Sequence, residues 1–157
     1  MTVCLLPQTV LVQTKTPMPD GNQTAMVELC SAWAGAWNRH DAHALSLLCG
    51  SDIDFVTVAG LWLRGIGEFR NHHAEIHRLQ MRESIWTNIA HATSLLSDNI
   101  ALIHLQWAIA GDRDPDGAPG APRQGLFTWV IARRSEEWRI VAAHNSNLRQ
   151  EVRQRLL

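Results

Sequence analysis

Residues 84–110, SIWTNIAHATSLLSDNIALIHLQWAIA, decide the architecture. They read as two long strands, Ser84 to Leu96 and Asn99 to Ala110, joined at Ser97-Asp98 by a hairpin connection. Downstream, Gln124 to Arg133 and Glu137 to Asn145 repeat the pattern around Ser135-Glu136, with a Gly/Pro/Asp-rich loop between the two hairpins. Strands linked this way make a mostly antiparallel sheet.

Upstream the period changes. Asp20 with Gln23 forms an N-capping box, and Met26, Cys30, Trp33 and Trp37 follow at spacings of four, three and four. This predicts an amphipathic helix ending near Asn38, and Asp41 caps a second, short helix burying Leu45 and Leu48. Asp52 to Ala59 is β-branched and ends at Gly60, with Leu61 to Arg64 returning as a short second arm. Ile66, Phe69, His73 and Ile76 then describe the buried face of a third helix, with His72 off that stripe and solvated. Helices first and long hairpin strands last is the α+β pattern, three helices packed on one face of a strongly bent sheet.

A chain of 157 residues fits one domain with a sizeable core, and 46% hydrophobic with 18% charged residues excludes a disordered chain. Fourteen Lys plus Arg against fifteen Asp plus Glu give a net charge of −1, so nucleic acid is not an expected partner. Seven Trp and no Tyr remove any mechanism that uses a protein phenol. Cys4, Cys30 and Cys49 are odd in number and lack C-x-x-C spacing, which points to a reducing, cytoplasmic setting. Residues 1–11 are apolar but carry no basic residue and are interrupted by Pro7, unlike an export signal, and Ile100 to Ala110 is too short to span a bilayer. The expected plan is an extension over residues 1–19, one domain over 20–147, and a tail over 148–157. In the tail Leu148, Val152 and Leu156 form a short docking helix.

Several constellations carry chemistry. Asp112 to Gly117 copies the first half of a calcium loop, but its twelfth position is Arg123, so a solvated hairpin loop is the expectation. His73 and His77 stand one helical turn apart, a spacing two metal ligands can use, yet the order is not H-E-x-x-H. The expectation is no metal, with His73 in the core and His77 leaning to the surface. His91 and His104 read as hydrogen-bonded strand residues, whereas His144-Asn145 ends the last strand, where a curved sheet opens to ligands. The indoles of Trp33, Trp37, Trp107 and Trp129 are either core or the wall of an apolar cavity. No Walker loop, G-x-S-x-G or G-x-G-x-x-G occurs, so no cofactor is expected.

The segments Ala36-Trp-Asn-Arg-His-Asp41, Leu47-Leu48, Asp52-Ile-Asp-Phe-Val56 and Gly60-Leu-Trp-Leu-Arg-Gly65 resemble the SnoaL-like branch of the nuclear transport factor two-like superfamily. Arg113-Asp-Pro-Asp-Gly117 and Trp138-Arg-Ile-Val-Ala-Ala-His-Asn145 resemble its SgcJ/EcaC subgroup, the likeness running over about residues 22–147. The resemblance implies a cone closed by three helices around a pocket, and a homodimer formed through the outer face of the sheet. The superfamily holds ketosteroid isomerase, polyketide cyclases, scytalone dehydratase and limonene epoxide hydrolase beside non-catalytic association domains. Set against the isomerase pattern, Trp33 stands where that enzyme has its Tyr donor and Thr57 where it has its carboxylate base.

The expected ligand is a small hydrophobic or aromatic molecule walled by Trp33, Trp37, Phe55, Trp62, Trp107, Phe127 and Trp129. Thr57 and Asn145 would orient it, and Arg123 would meet an anionic group at the rim. For catalysis, His73 or His144 is the acid/base of an isomerase, cyclase or dehydratase type of proton transfer. The alternatives are a non-catalytic ligand binder and an association module whose cone is filled by its own side chains.

Overall fold

The computed structural model describes residues 18–149. The expected N-terminal extension over residues 1–19 and C-terminal tail over 148–157 lie, but for residues 18–19 and 148–149, outside the described residues. Helix α1 (Asp20–Asn38) and the short α2 (Ala42–Leu47) come first, then strands β1 (Cys49–Val56) and β2 (Trp62–Arg64) and helix α3 (Gly65–Arg78). Four long strands follow: β3 (Ile85–Ser97), β4 (Ile100–Ala110), β5 (Arg123–Arg134) and β6 (Glu137–Asn147). They form one six-stranded sheet in the order β2-β1-β6-β5-β4-β3, antiparallel except where β1 lies parallel to β6. No helix among the described residues is long and apolar enough to cross a membrane.

The helix starts show which local signals acted. Asp41 accepts a hydrogen bond from the Ala44 N–H at 2.9 Å and caps α2. At α1 the capping box does not form: Pro19 is the N-cap, and Asp20 already lies in the first turn. There its charge complements the helix dipole instead of capping an N–H. Buried Met26, Leu29, Cys30, Trp33 and Trp37 line the face of α1 that meets the sheet, and Phe69 and His73 do the same on α3.

Two side-chain amides fasten α1 to strand β3. The Asn38 carboxamide donates to the Trp86 carbonyl at 3.0 Å and accepts the Trp86 N–H at 2.7 Å, as a neighbouring strand would. Asn88 donates to the Cys30 carbonyl at 2.9 Å and accepts the Trp86 indole N–H at 2.8 Å. The helix is thereby fixed over the concave face of the sheet, and the space between them becomes core at one end and cavity at the other.

A β-bulge sets which face of β6 looks inward. Ile140 pairs with Ile131 but Ala142 pairs with Val130, so Val141 is the extra residue. Trp138 and Ile140 point into the core before the bulge, and Ala143 and Asn145 do so after it. One added residue flips every later side chain to the other face.

Candidate functional site

A cavity of about 210 Å³ opens between α3, the concave sheet and the turn after β1. Its walls are overwhelmingly apolar. Trp37, Phe55, Trp86, Trp107, Ile109 and Phe127 form the deep part, while Val58, Leu61, Ile76 and Met81 surround the mouth. Polar groups reach it at Thr57, His72, His73, Gln80, Arg123 and Asn145.

His73 is the central polar group. It is 2% exposed, and its ring meets Phe69 at 4.1 Å, Phe55 at 5.3 Å and Trp37 edge-on at 6.2 Å. Nδ1 lies 2.8 Å from the Phe69 carbonyl oxygen, one turn back on the same helix. A carbonyl oxygen only accepts, so Nδ1 carries the proton and Nε2 presents a lone pair. Nε2 has no partner among the described residues, yet it is not sealed off as the His77 nitrogens are, and it is the ring edge left for the cavity. Burial pushes the His73 pKa down to about 3, with the nearby His72 and His77 adding to the shift and the Phe69 hydrogen bond opposing it. The imidazole is neutral at physiological pH.

The other polar groups are partly engaged. The Trp107 indole N–H donates to Asn145 Oδ1 at 2.8 Å, leaving the Asn145 N–H groups as its free donors. Thr57 Oγ1 accepts the Leu61 N–H at 3.1 Å, which leaves the hydroxyl proton free. Arg123 is committed elsewhere: its Nε and Nη2 donate to Asp112 Oδ2 at 3.2 and 3.1 Å, and Nη1 donates to Asn147 Oδ1 at 2.8 Å. Its guanidinium also lies 5.5 Å from the Trp107 ring centroid. The expected anion-reading rim cation is thus a paired one.

Trp107 keeps its place because residue 125 has no side chain. A Cβ on Gly125 would collide with Cζ2 and Cε2 of the indole, which lies across β5 at this point. Trp86 stacks on the indole at 4.8 Å and 26°. These two rings form one wall of the cavity.

Of the residues singled out from the sequence, the cavity brings together His73, Trp37, Phe55, Thr57, Trp107, Arg123, Phe127 and Asn145. It does not include His144. The bulge at Val141 turns His144 outward, exposed and opposite Thr128 on the convex face, while Asn145 beside it points in. Trp62 is also outside the site, 55% exposed on the edge strand β2 with its N–H on Asp54. Trp33 and Trp129 are fully buried behind the wall, 5.2 Å apart, so they are core and not lining.

Other histidines moved as well. His72 is half-buried at the mouth rather than solvated, and burial lowers its pKa. His77 is buried rather than surface-leaning, edge-on to Trp37 at 4.7 Å, with a pKa pushed down to about 4 by burial and by neighbouring His40. His104 bonds Thr128 Oγ1 at 3.1 Å, and His91 is exposed. Among the described residues no group of three His, Cys, Asp or Glu is placed to hold a metal ion. Among the lining residues that sequence reading missed are Trp86, Gln80 and Met81. Trp86 alternates inward along β3 and was legible; the other two sit in the turn after α3, where no periodicity applies.

Helices closing a bent, mostly antiparallel six-stranded sheet over an apolar cavity define a cystatin-like, NTF2-like cone. No protein-family model matches the chain, and no curated protein sequence matches it. Solved structures do. An uncharacterised protein with a cystatin-like fold from Caulobacter vibrioides superposes with a TM-score of 0.79 at 18% identity, over 85% of this chain and 94% of that one. An NTF2-like protein with a cystatin-like fold from Novosphingobium aromaticivorans gives 0.70 at 20% identity, over 87% and 90%. A protein from the same organism, provisionally assigned as a scytalone dehydratase, gives 0.72 at 11% identity, over 82% and 85%. At these identities the likeness fixes the fold.

Proposed function

We propose that the protein binds a small, largely apolar or aromatic molecule in the cone, with Nε2 of His73 accepting a hydrogen bond from it. The observation that carries this reading is a buried imidazole lining an apolar cavity of about 210 Å³, its Nδ1–H held by the Phe69 carbonyl and its Nε2 without a hydrogen-bond partner among the described residues. An apolar pocket with a few convergent polar groups is the usual form of a small-molecule site. An association module with a solidly packed cone would have no such space. Direct binding, read by calorimetry with a panel of single-ring and fused-ring aromatics, tests the reading, and His73→Phe should weaken binding of hydrogen-bonding ligands by about tenfold. A variant that binds such ligands as tightly as the parent overturns the role of His73.

Proton-transfer catalysis of the isomerase, cyclase or dehydratase kind is the second reading. It is favoured by the SnoaL-like and SgcJ/EcaC resemblance and by the likeness to the provisionally assigned scytalone dehydratase. His73 would take a proton at Nε2 and return it to another atom of the same substrate. The cost is set by burial: a pKa lowered from 6.5 to about 3 makes the imidazolium about 5 kcal/mol less accessible than in water. Only negative charge developing on the substrate beside the ring offsets that. Turnover would therefore depend on close ion-pair geometry, and His73→Gln, which retains an acceptor but not a base, should lower kcat by orders of magnitude while leaving binding largely intact.

A second copy of the chain is proposed to cover the convex face of the sheet, where Leu102, Leu126 and Val130 lie half-buried on neighbouring strands. Light scattering on the purified protein reads the subunit count directly.

A further inference from the structure

We infer that the cavity is built for the neutral form of a weakly acidic hydroxyl compound, a phenol or enol on a one- or two-ring body, and that it rejects the corresponding anion. This rests on the small-molecule reading above.

His73 offers a lone pair at Nε2, because Nδ1–H is held by the Phe69 carbonyl. Asn145 offers N–H donors, because its oxygen is taken by Trp107. Thr57 offers its hydroxyl proton, which no described residue accepts, while its oxygen takes the Leu61 N–H on one lone pair. These three groups set one acceptor beside two donor groups, which complements a hydroxyl that gives one hydrogen bond and receives others, while Gln80 and His72 also reach the cavity from α3 and the turn after it. An ionised oxygen only accepts, so it would face the Nε2 lone pair with one of its own.

Arg123 on β5 is the sole cation of the cavity wall among the described residues, and the Asp112 carboxylate at 3.1 Å balances it. The ionisable groups near His73 on its own helix are His72 and His77, both biased by burial toward the neutral form. The α1 side presents Trp33 and Trp37, and the sheet side presents Phe55, Trp86 and Phe127. With that cation already paired, no unpaired positive charge among the described lining residues replaces the water an anion would lose, and an uncompensated buried ion is strongly disfavoured.

A dry apolar cavity of about 150 Å³ accommodates benzene. The space here, about 210 Å³, leaves room for a ring with substituents, including a hydroxyl within reach of His73.

The test uses the full-length protein and two probes, 4-nitrophenol, which ionises near neutral pH, and 4-ethylphenol, which stays protonated to about pH 10. Calorimetric titrations from about pH 6 to about pH 9 should show nitrophenol affinity falling as it ionises, approaching tenfold per pH unit, because only the neutral fraction is competent. Ethylphenol affinity should stay flat over the same range. Nitrophenol affinity that holds or rises through its ionisation overturns the inference while leaving the pocket reading in place. Ethylbenzene, the same ring without the hydroxyl, separates the two further: binding of ethylbenzene but neither phenol sinks the hydroxyl inference alone. Binding of none of the three sinks the pocket reading as well.

Discussion

Replacing Gly125 by Ala should damage both stability and the cavity, through one side chain. The new Cβ would fall far inside the roughly 3.5 Å at which carbon atoms touch, against Cζ2 and Cε2 of Trp107 and against the Ser146 carbonyl oxygen. The carbonyl belongs to the β6 backbone and cannot retreat cheaply, so the indole must shift by more than about 1 Å. Its N–H···Oδ1 bond to Asn145 begins at 2.8 Å and would not survive a shift of that size, leaving two buried polar groups unpaired. Overpacking costs about 1–3 kcal/mol, and the lost buried hydrogen bond about 1–3 kcal/mol. The expected loss is about 2–6 kcal/mol, read from urea unfolding with an unchanged slope on denaturant. The shifted ring also moves into the cavity, so aromatic ligands should bind more weakly. Pairing Gly125→Ala with Trp107→Leu should recover part of the loss, a strongly non-additive cycle. A Gly125→Ala protein within about 0.5 kcal/mol of the parent, a size ordinary for a surface substitution, would refute the claim that Trp107 lies across residue 125.

Three further outcomes are expected. His73 and His77 resist protonation when folded but titrate near 6.5 when unfolded, so the unfolded state binds more protons below that pH. Stability should fall as pH drops from about 6.5 toward the folded values of about 4 and about 3. Urea midpoints for the parent and for His73→Gln should diverge in that window, the variant being less acid-sensitive; parallel curves would remove His73 from the effect. Cys30 and Cys49 are buried with pKa values pushed up to about 12 by loss of solvent, so a thiol reagent near neutral pH should modify both only after denaturation. Asp112→Ala leaves the Arg123 guanidinium without its carboxylate, so it should lower stability by about 1.5–3 kcal/mol and raise the affinity of the cavity for phenolates; a variant that still discriminates fully against the anion argues against the charge balance at the rim.

The fold was largely legible because its signals are local. The spacing Met26, Cys30, Trp33, Trp37 lies on one face of a helix whatever it packs against. The short polar links force two hairpins: one turn lies at Ser135-Glu136 as expected, and the other sits one residue later than expected, at Asp98-Asn99 with Ser97 paired to Ile100, so these two antiparallel pairs followed from chain length alone. The parallel contact of β1 with β6 did not, since those strands are far apart in sequence and no turn connects them. The α1 cap failed for a nearby reason: Pro19 took the N-cap position that the box assigned to Asp20.

For the site, the sequence by itself determined that an imidazole, His73, stands on the buried stripe of α3, and that indoles are too numerous to be incidental. Which indoles line the cavity was decided only by tertiary structure: Gly125 admits Trp107 to the wall, and α1 buries Trp33 behind it. The choice between His144 and Asn145 belongs there too, because one extra residue at Val141 inverts the alternation that follows. Helix and strand periods are properties of a single segment, whereas a cavity is the space that several segments fail to fill. Its shape depends on bulges, missing side chains and cross-strand register, which a period does not encode.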